Sequence, residues 1–273
     1  MSAATLPLPL LGEARSTTHR VARTFSLACR LLPRSVRDDV YLLYLLFRTL
    51  DDLVDDGAPD AEERVAAVEA WARNQAGPAT GEVAMLHALE RRRPLPRAPL
   101  ADFCAGMRHD LAGASLATEA DVDRYCYRVA GTVGVVMASV LGTRDASVAE
   151  PAAAALGMAM QRTNILRDID EDRAAGRSYI AHEAIARHGS PLPGRRATLM
   201  REQIARADAL YDRGLAGIGQ LRAGRPAIAA AAGMYREILR QLERDGLGAE
   251  PGRAVVPSGR RLGVAARAAL RGR

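Results

Sequence analysis

The sequence predicts an all-α protein, on three observations. Alanine, leucine and arginine, all good helix formers, dominate the 273 residues, while the aromatic residues that favour strands make up only 4%. Apolar residues recur at helical spacing through most of the chain, and no convincing run of strand alternation interrupts them. No repeat, low-complexity tract or long linker divides the sequence, so 1–273 reads as one domain with a sizeable core, its ends 1–15 and 266–273 expected to be flexible.

Eight helices can be placed in order. The first, 35–56, follows Pro33 and carries Val36, Val40, Leu43, Leu46, Phe47, Leu50 and Val54 at helical spacing; Gly57 and Pro59 end it. A shorter amphipathic helix, 61–74, stops before Gly77 and Pro78. Pro94, Pro96 and Pro99 mark a turn ahead of 101–111. In the next helix, 119–140, Gly131 and Gly134 fit either close helix approach or a break that lines a cavity. Helix 151–174 is rich in alanine, with Pro151 at its start and Gly176 breaking it. Helices 199–221 and 226–244 follow, then a loop at 246–252 and a basic helix at 258–270. Helices of this number and length form a single bundle, and sites in bundles lie between facing helices.

Every basic side chain in the count of 38 is an arginine, and the net charge is +6. That charge suits an anionic small molecule, a nucleic acid or an anionic membrane. No dense basic run with interleaved aromatics occurs, so nucleic acid is not expected. Cys29, Cys104 and Cys126 lack metal-site spacing and read as buried free thiols of a reducing compartment. The first residues do not resemble a secretory signal, and the apolar stretches 41–47 and 133–141 are too short to span a bilayer, so a cytoplasmic protein is expected. Arg253, Arg260, Arg261, Arg267, Arg271 and Arg273 fit either solvation or peripheral contact with anionic lipid. Nothing in the sequence specifies an oligomeric state.

Two acidic constellations carry the chemistry. In the first helix Arg48 precedes Asp51, Asp52, Asp55 and Asp56. Asp51 and Asp55 lie four apart, Asp52 and Asp55 three apart, so these carboxylates share a face and repel. Their place near a helix C-terminus adds repulsion from the macrodipole. The second constellation sets Asn164, Asp168 and Asp172 at four-residue steps, with Gln161 a turn earlier and Arg167 and Glu171 as a four-residue pair beside the stripe. Ile165, Leu166 and Ile169 fall on another face and are expected to pack inward. Two such clusters in strongly apolar helices point to a cavity with facing acidic walls. Mg²⁺, or Mn²⁺, would bridge the walls to a diphosphate, with a hydrocarbon held on apolar side chains below. Arg48 and Arg167 suit diphosphate oxygens, and on spacing alone equally suit pairing with the neighbouring acids.

These stretches, together with Thr24-Phe25-Ser26-Leu27-Ala28, Tyr44 before Arg48, Gly106-Met107-Arg108-His109-Asp110-Leu111, the run from Tyr125 to Gly134 and Gly176-Arg177-Ser178-Tyr179, resemble the squalene/phytoene synthase family. Tyr235 and Arg253 echo its final helices, and the likeness covers about residues 16 to 265. The resemblance implies the all-α isoprenoid-synthase bundle (class I terpenoid synthase) with a central cavity. It implies that Asp51, Asp52, Asp55, Asn164, Asp168 and Asp172 hold Mg²⁺ and two isoprenyl diphosphates, and that Arg48, Arg167, Tyr235 and Arg260 bind diphosphate. Tyr44, Asp110 and Tyr125 would lie near the reacting carbons, with Gln161 beside the second metal site.

The reaction so implied is head-to-head condensation of two allylic diphosphates through a cyclopropylcarbinyl diphosphate. Closing to phytoene needs no reductant; squalene needs NADPH, for which the chain carries no Gly-rich fingerprint, an absence that does not decide the matter. Ala28 and Cys29, expected on the cavity wall, favour a C20 substrate, whereas Asp170-Glu171-Asp172 resembles presqualene-forming relatives. A terpene cyclase on the same scaffold, or a non-catalytic lipid-binding or assembly factor, are the alternatives.

Overall fold

The computed structural model describes residues 8–272 apart from 22 and 114, and the described residues form fourteen α-helices. In order these are α1 (Leu8–Val21), α2 (Arg23–Cys29), α3 (Arg34–Asp55), α4 (Ala61–Ala72), α5 (Gly81–Glu90), α6 (Arg97–Leu111), α7 (Glu119–Cys126), α8 (Thr132–Leu141), α9 (Ala146–Arg167), α10 (Ile169–Ala174), α11 (His182–His188), α12 (Ala197–Ala216), α13 (Arg225–Arg244) and α14 (Ser258–Arg271). The one β-contact among them is an isolated bridge between Thr143 and Leu221. No described helix is long and apolar enough to cross a membrane.

The expected helices are all present, with instructive differences. Segment 119–140 is divided by a π-turn at Tyr127–Gly131. Segment 151–174 is divided at Asp168, whose φ of −102° and ψ of 10° leave the helical region. Hydrogen bonds from Asp168 N to Asn164 O and from Asp172 N to Asp168 O, both 2.9 Å, carry the four-residue register across that break. Asp145 caps α9 by accepting from the Ser147 N–H, so the helix begins before Pro151, which sits inside it and removes one backbone donor. Helices α1, α2, α5 and α11 are additional to the eight expected, and α1 begins within the stretch expected to be flexible, of which residues 1–7 lie outside the described residues.

Two hydrophobic cores flank the middle of the bundle. One gathers around α3, with Leu42, Leu43, Leu46, Leu50, Leu86, Leu89, Leu100 and Phe103. The other gathers around α9 and α12, with Leu156, Ile165, Leu166, Leu199, Met200, Ile204 and Tyr211. Val129 and Ile228 pack against both. Of the two central helices, α3 bears the first acidic motif and α9 leads directly into the second, which continues through Asp168 to Asp172 of α10. Behind the second motif, Arg162 is buried and donates to Asp123, Glu119 and Gln203 at 2.8–3.1 Å, tying α9 to α7 and α12. That anchoring fixes which face of α9 turns towards α3.

Glycines set how closely the helices pass. A Cβ on Gly157 would lie 2.1 Å from the Ala130 carbonyl oxygen, and one on Gly134 would lie 2.2 Å from that of Ala153. Both readings of the glycine run hold at Gly134, which also lines the cavity, whereas Gly131 serves close approach, a Cβ there lying 3.0 Å from the Tyr127 ring. Gly157→Ala is expected to lower the unfolding free energy by about 1–3 kcal/mol, measured as a lower urea midpoint. Gly259→Ala on α14, where a Cβ meets nothing within 4 Å, should leave the midpoint unchanged or slightly raised.

Candidate active site

A cavity of about 330 Å³ lies between the two cores. Along α9 its lining passes from Ala149, Ala152, Ala153 and Leu156 to Gln161 and Asn164, so it changes from apolar to polar over about 22 Å at 1.5 Å per residue. Phe47, Phe103, Met137, Leu141 and Leu221 complete the apolar wall, while Tyr44, Arg48, Asp51 and Tyr235 line the cavity as polar groups. Tyr44 stacks on Phe25 at a centroid distance of 5.2 Å.

Arginines hold the acids of both motifs. Arg48 bonds Asp51 at 3.3 Å and also pairs with Asp52. Arg167 donates to Asp168 at 2.8 Å; it does not make the expected pair with Glu171, because the backbone turns at Asp168 and brings that carboxylate to the guanidinium instead. Glu171 is met by Arg253 at 3.4 Å, which also reaches Asp168 at 3.1 Å. Arg177 bonds Asp55 at 2.7 Å, and its charge bears on Asp51 and Asp172, so the two motifs face one another across it.

The carboxylates are crowded. Burial, and then the charge of Asp55, pushes Asp51 up to about 6; its accessible side-chain surface, 47%, faces the cavity that it lines. Burial, and then Asp168, pushes Asp172 up to about 6. Asn164 donates to Gln161 Oε1 at 3.4 Å, while its own Oδ1 is buried without a partner. Among the described residues no three Asp, Glu, His or Cys side chains already converge as a metal shell. The donor set nevertheless fits a hard cation: mutually repelling carboxylates and an orphaned amide oxygen are the groups such an ion stabilises.

Asp110 joins the first motif to two tyrosines. Tyr125 donates to it at 3.1 Å and Tyr179 at 3.4 Å, and the two rings stack at 5.0 Å. Burial pushes Asp110 up to about 7 against the Tyr125 hydrogen bond, with the charges of Asp51 and Asp55 adding to the rise. Of the sequence-derived site residues, Tyr44, Arg48, Asp51, Gln161, Asn164 and Tyr235 line the cavity. Asp52, Asp55, Arg167, Asp168 and Asp172 belong to the ion-paired motifs beside it. Arg260 is not brought in: it is exposed and donates to Gln241 at 2.7 Å. Arg177, Tyr179 and Arg253 were not singled out for these roles. Their contacts cross more than 65 residues of sequence, and no local spacing announces such pairings.

The cavity-wall expectation for Ala28 and Cys29 is corrected. Both are buried, but Ala28 packs with Ala230, Met234 and Ala265, and Cys29 packs in the core around α3; among the described side chains of α2, Phe25 is the one that lines the cavity. Asp170 has a defined role instead. It takes a bidentate pair from the buried Arg196 at 2.6 and 2.8 Å and accepts from Gly252 N at 2.9 Å. This clamps the chain immediately before Arg253.

Residues 18–260 match the family model described as squalene/phytoene synthase. The chain is 40% identical over 234 residues to a phytoene synthase of Thermus thermophilus, covering 82% of this chain and 80% of that protein. It is 39% identical over 179 residues to a presqualene diphosphate synthase of Zymomonas mobilis, covering 62% and 60%. Among solved structures, a dehydrosqualene synthase in complex with ligand superposes with a TM-score of 0.85 at 25% identity, covering 95% of each chain.

Asp170→Ala leaves the Arg196 guanidinium buried without its counter-charge, so a destabilisation of about 3 kcal/mol or more is expected, read from urea unfolding. A pH effect follows from Asp110. Its folded pKa of about 7 lies above the ordinary 3.8, so the folded chain retains a proton that the unfolded chain releases between those values. The Asp110 contribution to stability therefore falls as pH rises from about 4 to about 7. In the absence of divalent ions, wild-type protein should lose more stability between pH 5 and pH 8 than Asp110→Asn does.

Proposed function

We propose, from the premise that this chain belongs to the squalene/phytoene synthase family and is a prenyltransferase, that it joins two allylic isoprenyl diphosphates head to head in a Mg²⁺-dependent reaction. The observation that carries the reading is the pair of acid-rich motifs facing each other beside a largely apolar cavity.

The residues divide the work. Asp51, Asp52 and Asp55 on α3, with Asn164, Asp168 and Asp172 opposite, would hold the metal. Bound there, Mg²⁺ supplies the positive charge that stabilises a departing diphosphate. Arg48, Arg167, Arg253 and Tyr235 offer donors to diphosphate oxygens, the arginines exchanging a carboxylate for a phosphate partner of the same charge sign. The apolar wall of Phe47, Phe103, Met137 and Leu156 takes the hydrocarbon and keeps water from the allylic cation. Asp110, Tyr125 and Tyr179 turn a hydrogen-bonded polar edge towards the first motif, suited to the migrating positive charge of the cyclopropylcarbinyl stage.

The likeness to a phytoene synthase over four-fifths of the chain supports geranylgeranyl diphosphate as substrate, with a C40 product formed without reductant. The likeness to a presqualene diphosphate synthase supports farnesyl diphosphate as the second reading. Incubation with each diphosphate, with and without NADPH, followed by product mass determination, separates them. The expected result is a doubled C20 skeleton, independent of NADPH. An undoubled cyclic product from one substrate would overturn the condensation. Chelation by EDTA should abolish turnover. Asp52→Ala and Asp168→Ala should each slow it by more than about tenfold, a barrier increase above ~1.4 kcal/mol, with helical content unchanged.

A further inference from the structure

The net charge of the chain resides in its last segment. Residues 251–273 contain Arg253, Arg260, Arg261, Arg267, Arg271 and Arg273 and no acid, which equals the +6 of the whole sequence; everything before is balanced. Helix α14 lies within this segment and packs one face, through Val264, Ala265 and Ala268, against α13 and its neighbours. Its other face is also apolar. Leu262, Ala266 and Leu270, at four-residue steps, share it with Gly259 and Gly263, and all five are exposed.

The exposure is large. Leu262 keeps 53% of its surface, Leu270 64%, and Val255, just before the helix, 72%. Arg260 and Arg267, seven residues apart, run beside the ridge, and Arg267 has no ion pair among the described residues. Glu237 of α13 lies 4.0 Å from Arg260, but α14 itself carries no acid, and an apolar ridge flanked by arginines is complementary to acyl chains bordered by anionic headgroups. The ridge also starts immediately after Arg253 and the buried Ala254, the former being bonded to Asp168 and Glu171 of the second motif.

We infer that the outer face of α14, with Leu262 and Leu270 at its centre, is a docking surface for an anionic lipid bilayer. The contact brings the acidic end of the cavity close to the membrane, where a long hydrocarbon dissolves. It does not depend on the reaction assigned to the cavity.

The test is co-sedimentation of the full-length protein with vesicles of mixed phosphatidylglycerol and phosphatidylcholine, and with vesicles of phosphatidylcholine alone. Binding is expected to the first and not the second, and to weaken in high salt. The double variant Leu262→Glu, Leu270→Glu alters only exposed positions and should retain wild-type helicity and thermal midpoint while binding roughly tenfold less. Arg267→Gln should bind about fivefold less, the equivalent of ~1 kcal/mol per arginine at an anionic surface. Equal affinity of the glutamate variant and wild type, or no vesicle binding at all, would overturn the inference. So would concentration-dependent self-association without vesicles that the glutamate variant abolishes, or retention on DNA in preference to the anionic vesicles.

Discussion

Mutual repulsion among carboxylates is the constraint around which this molecule is arranged. Burial raises the proton affinity of Asp51, Asp110 and Asp172, and the negative charge of Asp55 adds to the rise in each. Such a group does not assemble unaided. It is held by helices whose other faces are buried in two separate cores, and by arginines that arrive from distant parts of the chain. Without a ligand the arginines serve as counter-ions. With a metal and a diphosphate present, the carboxylates gain a cation and the guanidinium groups gain an anion, so both sets keep a partner through the exchange.

Positioning of this site is secured well away from the reacting groups. Arg162 lies directly after Gln161 yet points the other way, into a buried network with Glu119, Asp123 and Gln203. The Asp170–Arg196 pair does a similar task for the C-terminal loop that presents Arg253. Buried charges of this kind add little net stability, since each must first be desolvated. What they contribute is a single register of α9 and a single path for the loop.

Much of this was legible in the sequence because the signals are local. The acids of α3 and of the α9–α10 stretch fall at three- and four-residue spacing, and a helix converts that spacing into a shared face. Ile165, Leu166 and Ile169 are buried as their spacing requires. What escaped has a common cause. The π-turn at Tyr127–Gly131 and the break at Asp168 are responses to tertiary packing, which helix propensity does not encode. Short helices such as α2 and α11, each of seven residues, span too few turns to show a period. Arg177, Tyr179 and Arg253 act through contacts across the fold, and Ala28 and Cys29 were misassigned because a small residue fits a crowded core as well as an open wall.

The gradient along α9 has an evolutionary reading. Its apolar and polar stretches are consecutive on one rigid rod, with the hydrocarbon wall at Ala152, Ala153 and Leu156 and the charged machinery two to three turns further on. Substitutions at the former reshape the space for a tail without disturbing the register of the latter. A lineage built on this bundle can change the size of molecule it makes while inheriting its chemistry intact.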